Sequence, residues 1–169
     1  MKIRGGSDRR ATDREAFIGF VRETEPRLRR ALVAAYGAER GREATAEALA
    51  YAWEHWDRVR EMGNPAGYLY RVGLTAGRRE SRRRGRAELR ADVDTRVTQE
   101  DQLPDPDLRH AVEGLSPRQR AAVVMVVGHG MPLREAAELL GCSISSLRNH
   151  VDRALRRLRT QLGDDDVDQ

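Results

Sequence analysis

The sequence predicts an all-α fold: two small helical domains joined by an acidic flexible linker, the C-terminal one a helix-turn-helix. Three observations carry this expectation. Ala, Glu, Lys, Leu and Arg supply 82 of the 169 residues, while Val and Ile together number 16, a helical composition with too few β-branched residues for a sheet. Apolar residues recur at helical spacing on both sides of a Pro- and Asp-containing stretch at 87–107. Charge is segregated: residues 71–90 carry +6, residues 91–107 carry −5, residues 108–162 carry +5 and the tail carries −4. Two basic blocks around an acidic one point to two lobes with polyanionic partners.

Composition also excludes several classes. Apolar content of 39% argues against wholesale disorder. The single cysteine, Cys142, leaves no disulfide framework within the chain and fits a reducing compartment. No apolar run is long enough to span a bilayer, and MKIRGGSDRR has no apolar stretch behind it, so neither membrane insertion nor a secretory signal is expected and the protein is read as cytoplasmic. Of the 31 basic residues 30 are Arg; codon bias explains the ratio but not the clustering.

The elements follow in order. Residues 1–11 read as a loose arm, and Thr12 with Glu15 as a capping box opening the first helix. Phe17, Phe20, Val21, Leu28, Leu32 and Ala35 give that helix an apolar face, which Pro26 should kink or split. After a break over Gly37–Gly41, a second helix spans about Glu43–Arg60 with Ala48, Leu49, Ala52, Trp53, Trp56 and Val59 inward. Asn64 caps a third helix with Pro65 at its first position and Tyr68, Leu69 and Val72 inward. It ends in the basic run Arg82–Arg86, and the linker follows.

A short helix at about Asp107–Gly114 opens the second lobe. Ser116-Pro117-Arg118-Gln119 is a strong helix start, and that helix should end at Gly128. Residues 132–140 then form a helix stopped by Gly141. The last helix begins at Ser143, with Ile144, Leu147, Val151, Leu155 and Leu158 as one stripe. Two helices about the tight turn Gly141-Cys142-Ser143 make a helix-turn-helix. Its outward face presents Ser145, Ser146, Arg148, Asn149, Asp152 and Arg153; Arg and Asn can read guanine and adenine edges bidentately. Arg156, Arg157 and Arg159 lie further along, suited to phosphates.

In the first lobe Tyr68, Arg71, Thr75, Arg78, Arg79 and Arg82 fall near one helical face able to neutralise phosphates. Met62, Asn64 and Tyr68, in or beside the Gly-Asn-Pro loop, can hold an unstacked base. The run Glu54-His55-Trp56-Asp57 mixes acid, base and aromatic groups, but neighbours on a helix diverge, which argues against a catalytic site. His55, His110, His129 and His150 lack metal-like spacing, and no cofactor is implied. Trp53 and Trp56 read as core.

Residues 115–159, LSPRQRAAVVMVVGHGMPLREAAELLGCSISSLRNHVDRALRRLR, resemble the C-terminal promoter-recognition domain of bacterial RNA polymerase sigma factors, nearest the compact extracytoplasmic-function (ECF) type. Residues 52–84, AWEHWDRVREMGNPAGYLYRVGLTAGRRESRRR, resemble that family's other domain. The resemblance implies a clamp- and −10-binding domain at 12–86, a linker at 87–107 and a −35-binding domain at 108–162. It implies duplex contacts from Arg134, Ser145, Ser146, Arg148, Asn149, Asp152 and Arg153. It further implies single-strand contacts from Met62, Asn64, Tyr68, Arg71, Thr75, Arg78, Arg79 and Arg82. Glu43, Ala46, Glu47, Tyr51 and Glu54 fall on the segment implied to meet core polymerase. The implied partners are the polymerase clamp and flap, promoter DNA and, where one exists, an anti-sigma factor. Glu100, Asp101, Asp105 and Asp107 would make the linker a nucleic-acid mimic.

The chain departs from the family pattern at Ala46, where a Gln is usual, at Met131 before Pro132, where a Ser-like cap is usual, and at Asp152, an acid on the DNA-facing side. Domain orientation is expected to be largely unfixed in the free chain. Two other readings use the same residues: a dimeric helix-turn-helix regulator independent of polymerase, and a degenerate sigma-like chain that binds polymerase without initiating.

Overall fold

The computed structural model describes residues 5–88 and 105–163, with side chains described over 11–84 and 105–163. The first four residues of the basic arm, Glu100 and Asp101 of the linker and the Asp164–Asp166 run lie outside the described residues, and among those that are described every regular element is helical.

Helix α1 runs over Gly5–Tyr36, so Thr12 and Glu15 lie inside it rather than capping it. Residues 9–16, RRATDREA, are mostly strong helix formers with no Gly or Pro, so nothing there stops a helix. Nor does Pro26 split the element. Pro26 has no N–H for the Arg22 carbonyl, but Arg22 is exposed, and packing holds the axis on both sides. Upstream, the Phe17 and Phe20 rings each meet Trp56 at 5.2 Å; downstream, Leu28, Ala31, Leu32 and Ala35 are fully buried.

The expected five-residue break is one residue, Gly37, at φ 84°. Helix α2 (Ala38–Glu54) follows at once. Gly41 lies within it because the backbones meet there: a Cβ would stand 2.4 Å from Val33 Cα. The single helix expected to Arg60 is interrupted at His55 (φ −119°, ψ 27°), and α3 (Trp56–Val59) resumes it. The interruption turns Trp56 into the core while Trp53 stays half exposed at 50%, leaning on Phe17 at 4.9 Å. Trp53 is therefore not the core residue its spacing suggested.

Helix α4 (Pro65–Glu88) starts as expected, the Asn64 Oδ1 accepting from Gly67 N at 2.8 Å. Leu69 and Tyr70 are its fully buried residues; Tyr68 and Val72, expected inward, are half-buried. Tyr36 Oη ties α1 to α4 by donating to the Leu74 carbonyl at 2.7 Å.

In the second lobe Asp105 caps α5 (Pro106–Glu113). Ser116 and Gln119 form the reciprocal capping box of α6 (Pro117–Val123). The turn that was to continue α6 is wider, a π turn over Val124–Gly128 that seats Met125 with no exposure. Arg120 donates to the carbonyls of Val112, Glu113 and Leu115 at 3.1, 2.6 and 3.0 Å, gathering the C-terminal end of α5. Helices α7 (Leu133–Leu139) and α8 (Ile144–Leu162) complete the lobe.

The lobes are not free of each other, contrary to the expectation of unfixed orientation. Leu28, Leu32 and Tyr70 of the first share one continuous core with Ala122, Met125, Leu139 and Leu147 of the second. The cause is α1: it is buried against α2 and α4 on one side and against α6 on the other. Each fully buried Leu is worth about 1.5–3 kcal/mol, enough to override a flexible tether. At the far end of this seam Gly67 of α4 meets Gly141; a Cβ on Gly67 would lie 2.8 Å from the Glu138 carbonyl oxygen and 2.9 Å from Gly141 Cα. Asn64 Nδ2 donates to that carbonyl at 2.8 Å, and Arg27 pairs with Glu135 at 3.3 Å.

Candidate nucleic-acid interface

Gly141, at φ 61°, makes the turn between α7 and α8, a backbone conformation that costs glycine little. Ser143 Oγ accepts from Ser146 N at 3.1 Å, capping α8, and lies 3.0 and 2.9 Å from the hydroxyls of Ser145 and Ser146. Leu147, Val151, Ala154 and Leu158 are the buried stripe of α8. Ala154 was not foreseen, because alanine at that position carries no periodicity signal among so many alanines. Ile144, expected inward, is 40% exposed.

On the opposite side Arg148, Asn149, Asp152 and Arg153 are all exposed. Among the described residues no carboxylate is ion-paired to Arg148 or Arg153. Their guanidiniums are thus held on a capped, buried-backed helix with nothing to displace before they meet a base edge. Arg134 is exposed at the start of α7, whose N-cap Pro132 makes no side-chain bond. His150, half-buried beside this face, has its pKa lowered by burial and then by the charges of Arg118 and Arg153. Burial raises the pKa of Cys142, leaving a thiol rather than the thiolate that redox chemistry needs.

The arginine face of α4 is present but divided. Arg71, Thr75, Arg78, Arg79 and Arg82 are exposed. Arg79, however, is ion-paired with Glu47 of α2, and neighbouring Arg84 with Glu39 at 3.3 Å and Glu43 at 3.4 Å. Burial raises the pKa of Tyr36, and the nearby charge of Arg78 opposes that rise. Thr75 donates to the Arg71 carbonyl at 3.0 Å. The structure thus brings Glu43 and Glu47, expected to face polymerase, onto the seam between α2 and α4. Ala46 and Glu54 remain on exposed parts of α2.

Tyr51, also expected to face polymerase, meets Tyr68: their hydroxyls are 2.9 Å apart and their ring centroids 6.0 Å. His55 stacks on Tyr51 at 4.1 Å and an interplanar angle of 18°. The Arg71 guanidinium lies 5.9 Å from the Tyr68 centroid, and Met62 packs half-buried at the edge of the core. His55 was weighed from sequence only for catalysis and metal binding. The signal that could have placed it here is its position one helical turn after Tyr51.

Asn64 has both ends of its amide in use, the oxygen on Gly67 N and the nitrogen on the Glu138 carbonyl. A buried hydroxyl lies six residues further along: Tyr70 Oη has no hydrogen-bond partner among the described residues, and burial pushes its pKa above the ordinary tyrosine value. Among the described residues no His, Cys, Asp and Glu cluster could hold a metal, and no helix is long and apolar enough to cross a membrane.

Residues 106–158 match the family model for sigma-70, region 4. The RNA polymerase sigma-E factor of Streptomyces coelicolor is 30% identical over 129 residues, covering 72% of this chain and 71% of that protein. The ECF RNA polymerase sigma factor SigE of Mycolicibacterium smegmatis is 32% identical over 114 residues, 60% of this chain; the match spans 44% of that longer protein. Among solved structures, the sigma factor RpoE crystallised with the anti-sigma factor NepR from Bartonella quintana aligns with a TM-score of 0.61 at 23% identity, over 92% of this chain and 99% of that one. CnrH in complex with the cytosolic domain of CnrY aligns with a TM-score of 0.55 at 23% identity, over 90% of each chain. These two likenesses are of fold.

Proposed function

Because the chain belongs to the ECF-type sigma factors of RNA polymerase, we propose that it acts as an alternative sigma factor: it binds core polymerase, recognises −35 and −10 promoter elements and promotes melting. The observation that carries this reading is the free, capped face of α8, where Arg148, Asn149, Asp152 and Arg153 stand exposed together. That face, with Ser146, suits duplex base edges, and Ser145 and Arg134 lie near the phosphates. Arg71, Thr75, Arg78, Arg79 and Arg82 on α4, with Met62, Asn64 and Tyr68 at its start, suit the −10 region as a separated strand. Residues 12–86 and 108–162 are the two functional units of this reading. Core polymerase would meet the α2 side of the first, around Glu43, Ala46, Glu47 and Glu54.

The protein supplies no chemistry of its own; polymerase does. The implied site of action is the cytoplasm. The ionic seam between α2 and α4 bears on the missing Gln at Ala46. Glu43 and Glu47 already have arginine partners, so polymerase must compete for them or use the exposed surface beside them. An anti-sigma partner, named for one structural relative, is a regulator this chain could share.

The test is transcription by purified bacterial core polymerase with this protein on fragmented genomic DNA from its source, with transcript starts sequenced. Discrete starts that share paired upstream motifs and vanish without the protein are expected. Stable co-elution with core but no starts would favour the degenerate sigma-like chain. Duplex binding without core binding would overturn the proposal in favour of a free-standing regulator.

A further inference from the structure

We propose that Tyr51 and His55 form, with Tyr68, a stacking ledge for an unpaired nucleobase of the promoter single strand, so that Tyr51 belongs to the DNA site and not to the polymerase contact. The inference rests on the sigma-factor reading and adds two residues to its single-strand site.

The placement begins with the break at His55. Position 55 lies one helical turn after Tyr51, and its N–H still bonds the Tyr51 carbonyl at 3.1 Å. The backbone then leaves helical geometry at His55 (φ −119°, ψ 27°), and the ring lies flat on Tyr51 with centroids 4.1 Å apart. A second bond fixes it: His55 Nδ1 is 2.9 Å from the Tyr51 carbonyl oxygen. A carbonyl only accepts, so Nδ1 carries the proton and donates. One ring face is used by Tyr51. The residue is otherwise exposed, and it is not among the core residues. An exposed imidazole locked parallel to a phenol adds little to stability, yet it presents a flat π surface with little freedom left to lose.

The phenol beneath is also held. Its hydroxyl bonds that of Tyr68 at 2.9 Å, one turn beyond the capping Asn64. Arg71 adds a cation over Tyr68 at 5.9 Å. Aromatic planes and a nearby guanidinium, without a deep pocket, are what sequence-tolerant single-strand sites combine. A base laid on the outer face of His55 would extend the Tyr51–His55 stack by one ring while its phosphates run toward Arg71. Trp53, the other exposed aromatic of α2, leans instead on Phe17 and takes no part.

The experiment uses the full chain assembled on core polymerase, with fluorescein-labelled single-stranded dA12 and dT12 as probes and anisotropy as the readout; core affinity is titrated separately for every variant. His55→Ala should weaken strand binding about tenfold, the scale of one lost base–aromatic stack, with core affinity unchanged. His55→Phe should restore it, because a phenyl ring keeps the plane without the nitrogen atoms. Tyr51→Phe, which keeps the stack but cuts the hydroxyl pair, should fall between. Unchanged strand affinity in His55→Ala would overturn the proposal, as would loss of core affinity in Tyr51→Phe or His55→Ala. Rescue by His55→Arg but not His55→Phe would also overturn it, indicating a phosphate contact. If the wild-type chain itself fails to bind core, the sigma-factor reading has failed, and that result is distinct from all of these.

Discussion

Helices α8 and α4 are built alike. Each is long and arginine-rich, each starts from a side-chain cap (Ser143 or Asn64), and each buries one side in the common core. They differ in how their polar faces are occupied. Arg148 and Arg153 of α8 are ion-paired to no described carboxylate, and the Ser143 cap serves only its own helix and the neighbouring serines. On α4 Arg79 is held by Glu47, and the capping Asn64 is shared with the other lobe. A duplex reader meets a partner of fixed shape and gains from being finished in advance. A single-strand binder whose donors are already engaged must exchange one set of bonds for another, so its affinity depends on the state of the rest of the molecule.

The strongest way to break this contrast is to attack the core the lobes share. Leu147 is fully buried in it, and Leu147→Ala should cost about 2–5 kcal/mol. If the lobes are one cooperative unit, a thermal melt should move as a single transition; two separated transitions would mean that the lobes fold independently. Next, Arg148→Ala or Asn149→Ala should cost about 1–3 kcal/mol of discrimination at a −35 position and leave the melt unmoved. The same substitution at Arg79 should weaken strand binding less, because Glu47 already engages that charge; equal losses in the two helices would erase the distinction drawn here.

Gly67→Ala sharpens the contrast from the other direction. Alanine suits a helix better than glycine, by up to about 1 kcal/mol, so α4 itself should gain. The added methyl, however, has no room against the Glu138 carbonyl and Gly141. The expected result is lobes that part while each stays helical: a larger radius of gyration by small-angle scattering with unchanged far-UV circular dichroism. Smallest is Tyr70→Phe. Removing a buried hydroxyl that has no partner should leave stability equal or higher by up to about 1 kcal/mol. The folded pKa of Tyr70 is raised, so its contribution is complete below the ordinary value of 10.0 and is lost as pH climbs beyond it. The alkaline fall in stability should accordingly be shallower in Tyr70→Phe.

Much of the second lobe could be read from sequence because its signals are local. A capping box, a glycine turn and a run of apolar positions at helical spacing each act within a few residues, and Ser116, Gly141 and Ser143 do what their neighbours imply. The misses arose where a distant partner decides. Pro26 does not split α1, because aromatic packing upstream and buried leucines downstream hold both halves. Trp53 and Trp56 looked equivalent until the turn at His55 sent only one inward. Tyr68 was anticipated beside the loop, but its bond to Tyr51 depends on how α2 lies along α4, which no spacing encodes. The docking of the lobes has the same origin: α1 carries apolar residues around more of its surface than one lobe needs. Spacing within α1 assigns Leu28, Leu32 and Ala35 to a local core and says nothing of a second lobe, although all three are fully buried.

The single amide of Asn64 carries a thermodynamic linkage. With its oxygen on Gly67 N and one N–H on the Glu138 carbonyl, the amide keeps a single N–H for a nucleobase when the seam is closed, against two when it is open, so in the proposed role closing the seam and capturing the strand draw on one group. Competition is reciprocal: whatever opens the lobes raises strand affinity by the same factor by which a bound strand favours the open form. Each 1.4 kcal/mol by which the closed form is preferred lowers apparent strand affinity about tenfold. Any partner that held the lobes apart would return that factor in full without touching the base.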